Sequence, residues 1–352
     1  MKPVFLILLL SAIAASAQSG RVKPAESPTP KPKGTTSIVY APTNNNNDRP
    51  RVADPTPTPA VKNNDSEITV DSTLVPIPVT VIDANGRAVT NLKLSDFDLK
   101  IDGKAAEIGE VTRSETPVRL AMLFDNSSSV MIAREFEKNA ALKFFKRVIR
   151  PEKDLAALFS VSTVTRLEQP FTSEISSLTH AIEMFAEPTG ATALLDGVIQ
   201  AADYLSGVPG RRVIVIVSDG DDTASDATLE QALRALQLSN VQVYIVKTTD
   251  FENYKRTGSR RGNANLRQLA AERRMIEFAN QTGGMVHSPL DEKELDEAFR
   301  QIIAALSQQY ILSYYPDDTP TDRGQFREIS LAVKGNANLT VRTRKGYYVP
   351  KR

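Results

Sequence analysis

Five short, largely apolar runs separated by stretches of helical periodicity constrain this chain more than any other feature. They are Leu120–Phe124, Asp154–Val161, Val213–Val217, Val241–Val246 and Met285-Val286. The third reads VIVIV and is the strongest strand signal in the sequence. A strand that is apolar at successive positions is buried on both faces, and helices between such strands supply the cover. The pattern therefore predicts a doubly wound α/β domain built on a mostly parallel sheet. Helices are expected up to about Arg150, where Pro151 stops the first, and over Ala193–Leu205. Others are expected from about Thr228 to Asn240 and from about Asn265 to Gly283-Gly284. A last one carries Leu295, Phe299, Ile302, Ile303 and Leu306 on one stripe. Arg166–Thr172 reads as an edge strand. Ligands of such a domain belong at the carboxyl ends of its strands.

Different sequence flanks this region. Val75, Ile77, Val79 and Val81 alternate with Pro76, Pro78 and Thr80, the period of a strand. Pro76 and Pro78 lack donors on one side only, which suits an edge strand with a blunted free side. Phe97, Leu99 and Ile101 alternate again and end at Asp102-Gly103, a turn signal. Past residue 306, short strands are expected at Ile311–Tyr315, Ile329–Val333 and Leu339–Val341. The economical expectation is that both flanks pair into one small β-sandwich with the α/β domain inserted between them. Two separate hairpin extensions are the alternative.

The amino-terminal residues have a third character. Lys2, the apolar run Val4–Leu10 and the small-residue ending Ala15-Ser16-Ala17 make the pattern of a secretory signal peptide cleaved after Ala17. The apolar run is too short for a membrane span, which needs about 20 residues. Residues 18–65 are rich in Pro, Thr, Asn and Lys and read as a tether with nothing to bury. The expected organisation is thus a signal peptide at 1–17, a linker at 18–65, a β-rich segment at 66–116, the α/β domain at 117–306 and a second β-rich segment at 307–352. A secreted or periplasmic location follows. Charge is balanced, 43 Lys+Arg against 42 Asp+Glu, which is not the footprint of a nucleic-acid binder. Cys is absent and His occurs twice, at His180 and His287. The first removes thiolate metal sites and Cys nucleophiles, and the second leaves little room for a His-rich zinc site or a His-based relay.

Oxygen chemistry remains, and it collects at the predicted carboxyl ends. The first apolar strand runs into Asp125-Asn126-Ser127-Ser128-Ser129, and Val213–Val217 into Ser218-Asp219-Gly220-Asp221-Asp222. Thr189-Gly190-Ala191-Thr192 precedes a helix between them. Two carboxylates, Asp125 and Asp219, and three hydroxyls, Ser127, Ser129 and Thr192, form a hard donor set that fits Mg2+, or alternatively Mn2+ or Ca2+.

These motifs resemble those of von Willebrand factor A-type (VWFA) domains, a Rossmann-like family. Its metal ion-dependent adhesion site (MIDAS) carries D-x-S-x-S after the first strand, a Thr in a Gly-rich loop and an Asp in a T/S-D-G loop. Here they are Asp125, Ser127 and Ser129, then Thr192, then Asp219. Ala191 departs mildly from the family, many members having a second Gly there. The export signal, tether, flanking strands and the YYP…KGYYVP stretch together look like a group of exported bacterial relatives. The resemblance implies a non-enzymatic adhesion module whose metal keeps a position open for an Asp or Glu carboxylate of a partner protein.

Each element also has a plainer reading. Asp125 and Ser127 could be a helix cap and turn, and Asp219-Gly220 a strand-end turn. Asp221 and Asp222 read as solvated rim charges, and Lys247 as a solvated strand-end lysine. Lys255, Arg256, Arg260, Arg261, Arg267, Arg273 and Arg274 begin in a presumed loop after Val246 and form either a solvated face or a patch that steers acidic partners. A structural envelope scaffold with a vestigial metal site is the second functional reading. A metal-dependent hydrolase is a distant third, because Ser127 stands where a phosphatase would place a second carboxylate, and no Walker or G-x-S-x-G motif is present.

Overall fold

A computed structural model of the chain describes residues 74–113, 116–259, 265–317, 320–335 and 338–351. The expected signal peptide and tether lie outside the described residues, which all belong to one compact unit, Ile68–Arg352. The first flank contributes β1 (Val75–Ile82), β2 (Phe97–Ile101), β3 (Lys104–Ala106) and β4 (Glu110–Arg113). The middle region follows with β5 (Val118–Asp125), α1 (Arg134–Val148), β6 (Leu155–Val161), β7 (Arg166–Thr172), α2 (Ile175–Glu183), α3 (Leu194–Leu205) and β8 (Arg211–Ser218). It continues with α4 (Leu229–Leu238), β9 (Gln242–Lys247), α5 (Thr249–Thr257), α6 (Leu266–Thr282), β10 (Met285–His287) and α7 (Glu292–Ser307). The second flank holds β11 (Tyr310–Tyr314), β12 (Phe326–Val333), β13 (Thr340–Thr343) and β14 (Gly346–Tyr348).

The middle region is a six-stranded sheet in the order β10-β9-β8-β5-β6-β7, parallel except for β7 at one edge. Alternate residues of β5 feed opposite cores. Leu120, Met122 and Phe124 pack with α1, α2 and α7, whereas Ala121 and Leu123 pack with α3, α4 and α6. This two-sided burial is why the central strands are apolar at nearly every position. The local sequence sets the helix limits. Thr228 with Gln231 and Asn265 with Gln268 form capping boxes on α4 and α6. Gly283, at φ 77°, ends α6 in the left-handed conformation. Helix α2 falls where the sequence reading assigns no element, although Ile175, Leu178 and Ile182 share one face of it.

The flanks close on each other. Two antiparallel four-stranded sheets, β13-β1-β11-β4 and β14-β12-β2-β3, enclose a common core containing Ile77, Val79, Phe97, Leu99, Leu312 and Ile329. This is the expected β-sandwich, and it makes each sheet from both ends of the chain. The edge assignment of the first strand needs correction. β1 is interior, with β11 on one side along Val75–Val79 and β13 on the other along Val79–Ile82. Its first half has β11 but no strand on the β13 side, and that half holds Pro76 and Pro78. There β13 gives way to side chains: Thr343 Oγ1 donates to Pro78 O at 2.9 Å and Arg344 Nη2 to Pro76 O at 2.9 Å. Among the described residues no helix is long and apolar enough to cross a membrane.

Ile77 is fully buried in the sandwich core, whereas Lys100 points outward from β2. Ile77→Ala is expected to cost about 2–5 kcal/mol in urea denaturation, and Lys100→Ala within about 0.5 kcal/mol. Equal effects would mean that the flanks do not share a core.

Candidate metal centre

β5 and β8 are parallel neighbours, with Phe124 level with Val217. That register sets Asp125 beside Ser218, and Ser218 Oγ donates to Asp125 Oδ2 at 2.5 Å. The same hydroxyl accepts from Gly220 N–H at 2.9 Å, so it ties the Asp125 carboxylate to the loop that carries Asp219. Gly220 lies at φ 81° with Met275 pressed against the place of a Cβ, a position closed to other residues. Asp125 Oδ1 accepts from Ser127 N–H at 3.0 Å, and the Ser127 and Ser129 hydroxyls are 2.9 Å apart. Asp125 and Ser127 are buried, and Ser129 is exposed at the rim.

The Thr192 loop is sewn to this turn. Ser128 N–H and Oγ both donate to Gly190 O, and Thr189 N–H donates to Asn126 O at 3.2 Å. Thr192 is buried, its N–H donating to Thr223 Oγ1 at 3.1 Å and its carbonyl accepting from Thr223 and Ala224. Three loops from separate parts of the sequence thus meet at one end of the sheet.

Electrostatics at this end are unbalanced. Burial pushes the Asp125 carboxyl up, and the Asp219 charge adds to it; burial likewise raises Asp219. Two further carboxyls, which the sequence reading passes over, join them. Glu137, on α1, is fully buried, and its carboxyl is raised by burial and then by Asp125. One of its oxygens accepts from Thr248 Oγ1 at 2.8 Å, and the other has no partner. Glu252, on α5, is pushed up to about 8 by burial and by Asp219 and Asp125. Among the described residues neither Asp125 nor Asp219 forms a salt bridge. Arg134 is the cation that acts on Asp125, but its guanidinium is spent on Asn126 Oδ1, Ala186 O and the faces of Phe124 and Phe185. Arg267 acts on Asp219 but is itself paired with Asp221, and Arg256 acts on Glu252. The donor set is mixed, since among the described residues no three His, Cys, Asp or Glu side chains are grouped to hold a metal by themselves. Two carboxylates with serine and threonine hydroxyls therefore fit one hard divalent ion.

Several rim residues depart from their sequence reading. The segment after β9 is helix α5 rather than a loop; Lys255 and Arg256 lie in its last turn, where cations suit the helix dipole. Lys247 is buried rather than solvated, 3.6 Å from Glu272 and 3.7 Å from Asp250. Asp221 pairs with Arg267. Asp222 Oδ1 accepts from Leu194 N–H and Leu195 N–H, capping α3 from another loop. Arg256 and Arg267 line a shallow cavity of about 230 Å³ beside Ser129 and Asp219. Arg260 and Arg261 lie outside the described residues. His180 is exposed and His287 is half-buried in β10, at the far edge of the sheet.

The sequence profile of the von Willebrand factor type A domain matches residues 120–297. The chain belongs to this family. Domains of the family are generally interaction modules without catalysis. No curated protein matches the sequence. Several solved structures are similar to it. An aerotolerance-related membrane protein from Bacteroides fragilis is 20% identical, with 53% of this chain and 98% of that one covered at a TM-score of 0.42. The PilB minor pilin of Streptococcus sanguinis is 12% identical, with 56% and 63% covered at 0.42. Proximal thread matrix protein 1 of the mussel byssus, solved with a zinc-occupied MIDAS motif, is 15% identical, with 58% and 49% covered at 0.44.

The raised Glu252 gives a test of the charge imbalance. A carboxyl whose folded pKa lies above its unfolded value stabilises the fold fully below that value, near 4.5, and loses the contribution as pH rises through about 8. In chelator-treated protein the thermal midpoint is expected to fall between about pH 5 and 9, and Glu252→Gln to flatten that slope. An unchanged slope would show that Glu252 is not a titrating member of the cluster.

Proposed function

We propose that this protein is an exported, non-enzymatic adhesion module that binds a partner protein through a divalent ion. Asp125, Ser127, Ser129, Thr192 and Asp219 would hold the ion. One observation carries the reading: buried Asp125, level with Ser218 at the ends of two central strands, and half-buried Asp219 one residue beyond it lie beside serine hydroxyls, and among the described residues neither carboxylate is in a salt bridge. When bound, the ion would offer a Lewis-acidic position to a partner's Asp or Glu carboxylate. The chain's own residues prepare that position. Ser218 orients Asp125, the buried floor of Asp125, Ser127 and Thr192 excludes water, and Ser129 opens the rim to a ligand. Exposed Arg256 and Arg267 beside the rim would draw acidic partners. Mg2+ is the first candidate metal. The signal-peptide pattern ending at Ala17 supports a secreted or periplasmic site of action.

Calorimetric titration of the protein with Mg2+ or Mn2+ tests this. Saturable binding is expected, with none in Asp125→Ala. Ser218→Ala, which leaves every proposed ligand in place but removes the group that orients Asp125, is expected to weaken binding by about 10–100-fold. No binding by folded parent protein would overturn the metal-mediated reading and leave the envelope scaffold, with contacts made by the sandwich. A metal-loaded protein whose partner capture resists chelator would overturn only the carboxylate bridge.

A further inference from the structure

A second cleft, of about 290 Å³, lies at the amino ends of β8 and β9, where the α/β domain meets the sandwich. The length of β8 separates it from the candidate metal centre. One wall is apolar, made by Pro76 and Pro78 of β1, Ile311 of β11 and Val241. The other carries Arg211, Arg212 and Arg344. No Asp or Glu lines the cleft, and among the described residues none of the three guanidinium groups is in a salt bridge.

Their hydrogen bonds go to neutral acceptors. Arg211 donates to Gln242 Oε1 at 3.0 Å and to the carbonyls of Ala305 and Leu306. Arg212 donates to Val208 O at 2.9 Å and Ser239 O at 2.7 Å. Arg344 donates to Pro76 O and Asn240 Oδ1, while its Nε has no acceptor. The Gln242 Nε2 donor is likewise buried and unpartnered. Arg344 and Gln242 are both more than nine-tenths buried. Burial pushes the Arg344 guanidinium down to about 10, the mark of a charge held away from water without a counter-ion. Arg344 Nε and Gln242 Nε2 are enclosed in the wall, so the donors that can meet a ligand are Arg212 Nη2 and the second N–H groups of Arg344 Nη1 and Nη2.

The prolines make room for it. Residues 76 and 78 turn their carbonyls away from β11, on the side where a further strand would pair. Without N–H groups they cannot extend the β13 ladder, which begins only at Val79. The gap left beside them is the cleft, and its proline face offers an apolar surface rather than hydrogen bonds.

We propose that this cleft binds a small organic anion, a carboxylate on an apolar body, with the carboxylate at Arg212 and Arg344 and the body against Pro76, Pro78 and Ile311. Guanidinium groups match a carboxylate by paired donors. The size of the cleft, near the lower end for small-molecule sites at about 300 Å³, excludes large ligands. The apolar wall selects against inorganic anions that must keep their hydration. Because Arg344 and the prolines belong to the sandwich and Arg211, Arg212 and Gln242 to the α/β domain, such a ligand would tie the two together.

The test is thermal denaturation and calorimetry of the protein with sodium hexanoate, against acetate and inorganic phosphate at matched ionic strength. Hexanoate is expected to raise the thermal midpoint saturably at millimolar concentration, and acetate and phosphate to do so at least about tenfold more weakly. Arg344→Gln should abolish the hexanoate effect. Since Arg344 also holds Pro76 O, half-buried Arg212→Gln serves as the milder variant and should weaken binding by about tenfold while leaving the midpoint without ligand near the parent's. Both variants should titrate Mg2+ as the parent does, which separates this site from the metal centre. No saturable response to hexanoate, equal responses to all three anions, tighter phosphate binding, or an unchanged response in both variants would overturn the proposal and leave the arginines as staples between the domains.

Discussion

Asp125 ends one of the two central strands of the larger sheet, buried and, among the described residues, without a salt bridge, and much of the molecule is arranged around that position. Its neighbour Ser218 must be level with it for the hydroxyl to reach, which requires the parallel register of β5 and β8. That register in turn requires both strands to be apolar along their length, because helices cover each face. A carboxylate held this way is expensive when naked and useful when a cation arrives. Glu137 and Glu252 deepen the same imbalance from behind, on two helices that pack side by side through the stacked rings of Phe136 and Phe251. Four carboxyls at this end of the sheet are thus raised by burial and by one another.

How much of this the sequence discloses depends on what each residue must satisfy locally. The parallel strands are legible because burial on both faces leaves no polar position along them, and VIVIV has no other comfortable place. The D-x-S-x-S turn, the Thr192 loop and Ser218-Asp219-Gly220 are legible as a set because strand ends of one topology share a rim. Glu137 and Glu252 are not, since an acid in a helix reads as a solvated one until the tertiary packing shows which face it occupies. Lys247 fails in the same way: its ion partners, Asp250 and Glu272, come from two different helices. Asp222 serves a helix that precedes it by many residues, a cap that no local pattern reveals.

The prolines of β1 show a subtler limit. A strand with Pro at alternate positions does have one side that cannot donate, and the inference of an unpaired side is physically sound. What it cannot show is that pairing changes partway along a strand. β13 occupies that side from Val79 onward and leaves it at the prolines, so that one side of β1 is paired at one end and open at the other. The open half is then served by Thr343 and Arg344, the residues that end and follow β13, whose side chains replace the ladder that the prolines forbid.

That substitution has an electrostatic consequence. A backbone N–H that satisfies a carbonyl brings no net charge, but a guanidinium does. By using Arg344 to satisfy Pro76, in the cleft that Arg211 and Arg212 also line, the fold gathers three arginines at the amino end of the sheet, while Asp125, Asp219, Glu137 and Glu252 gather at the carboxyl end. The two ends are complementary in what they would accept, a cation at the carboxyl ends of the strands and an anion at the amino ends. A ligand at the amino end would brace the sandwich against the strand, β8, whose far terminus presents Ser218 to Asp125.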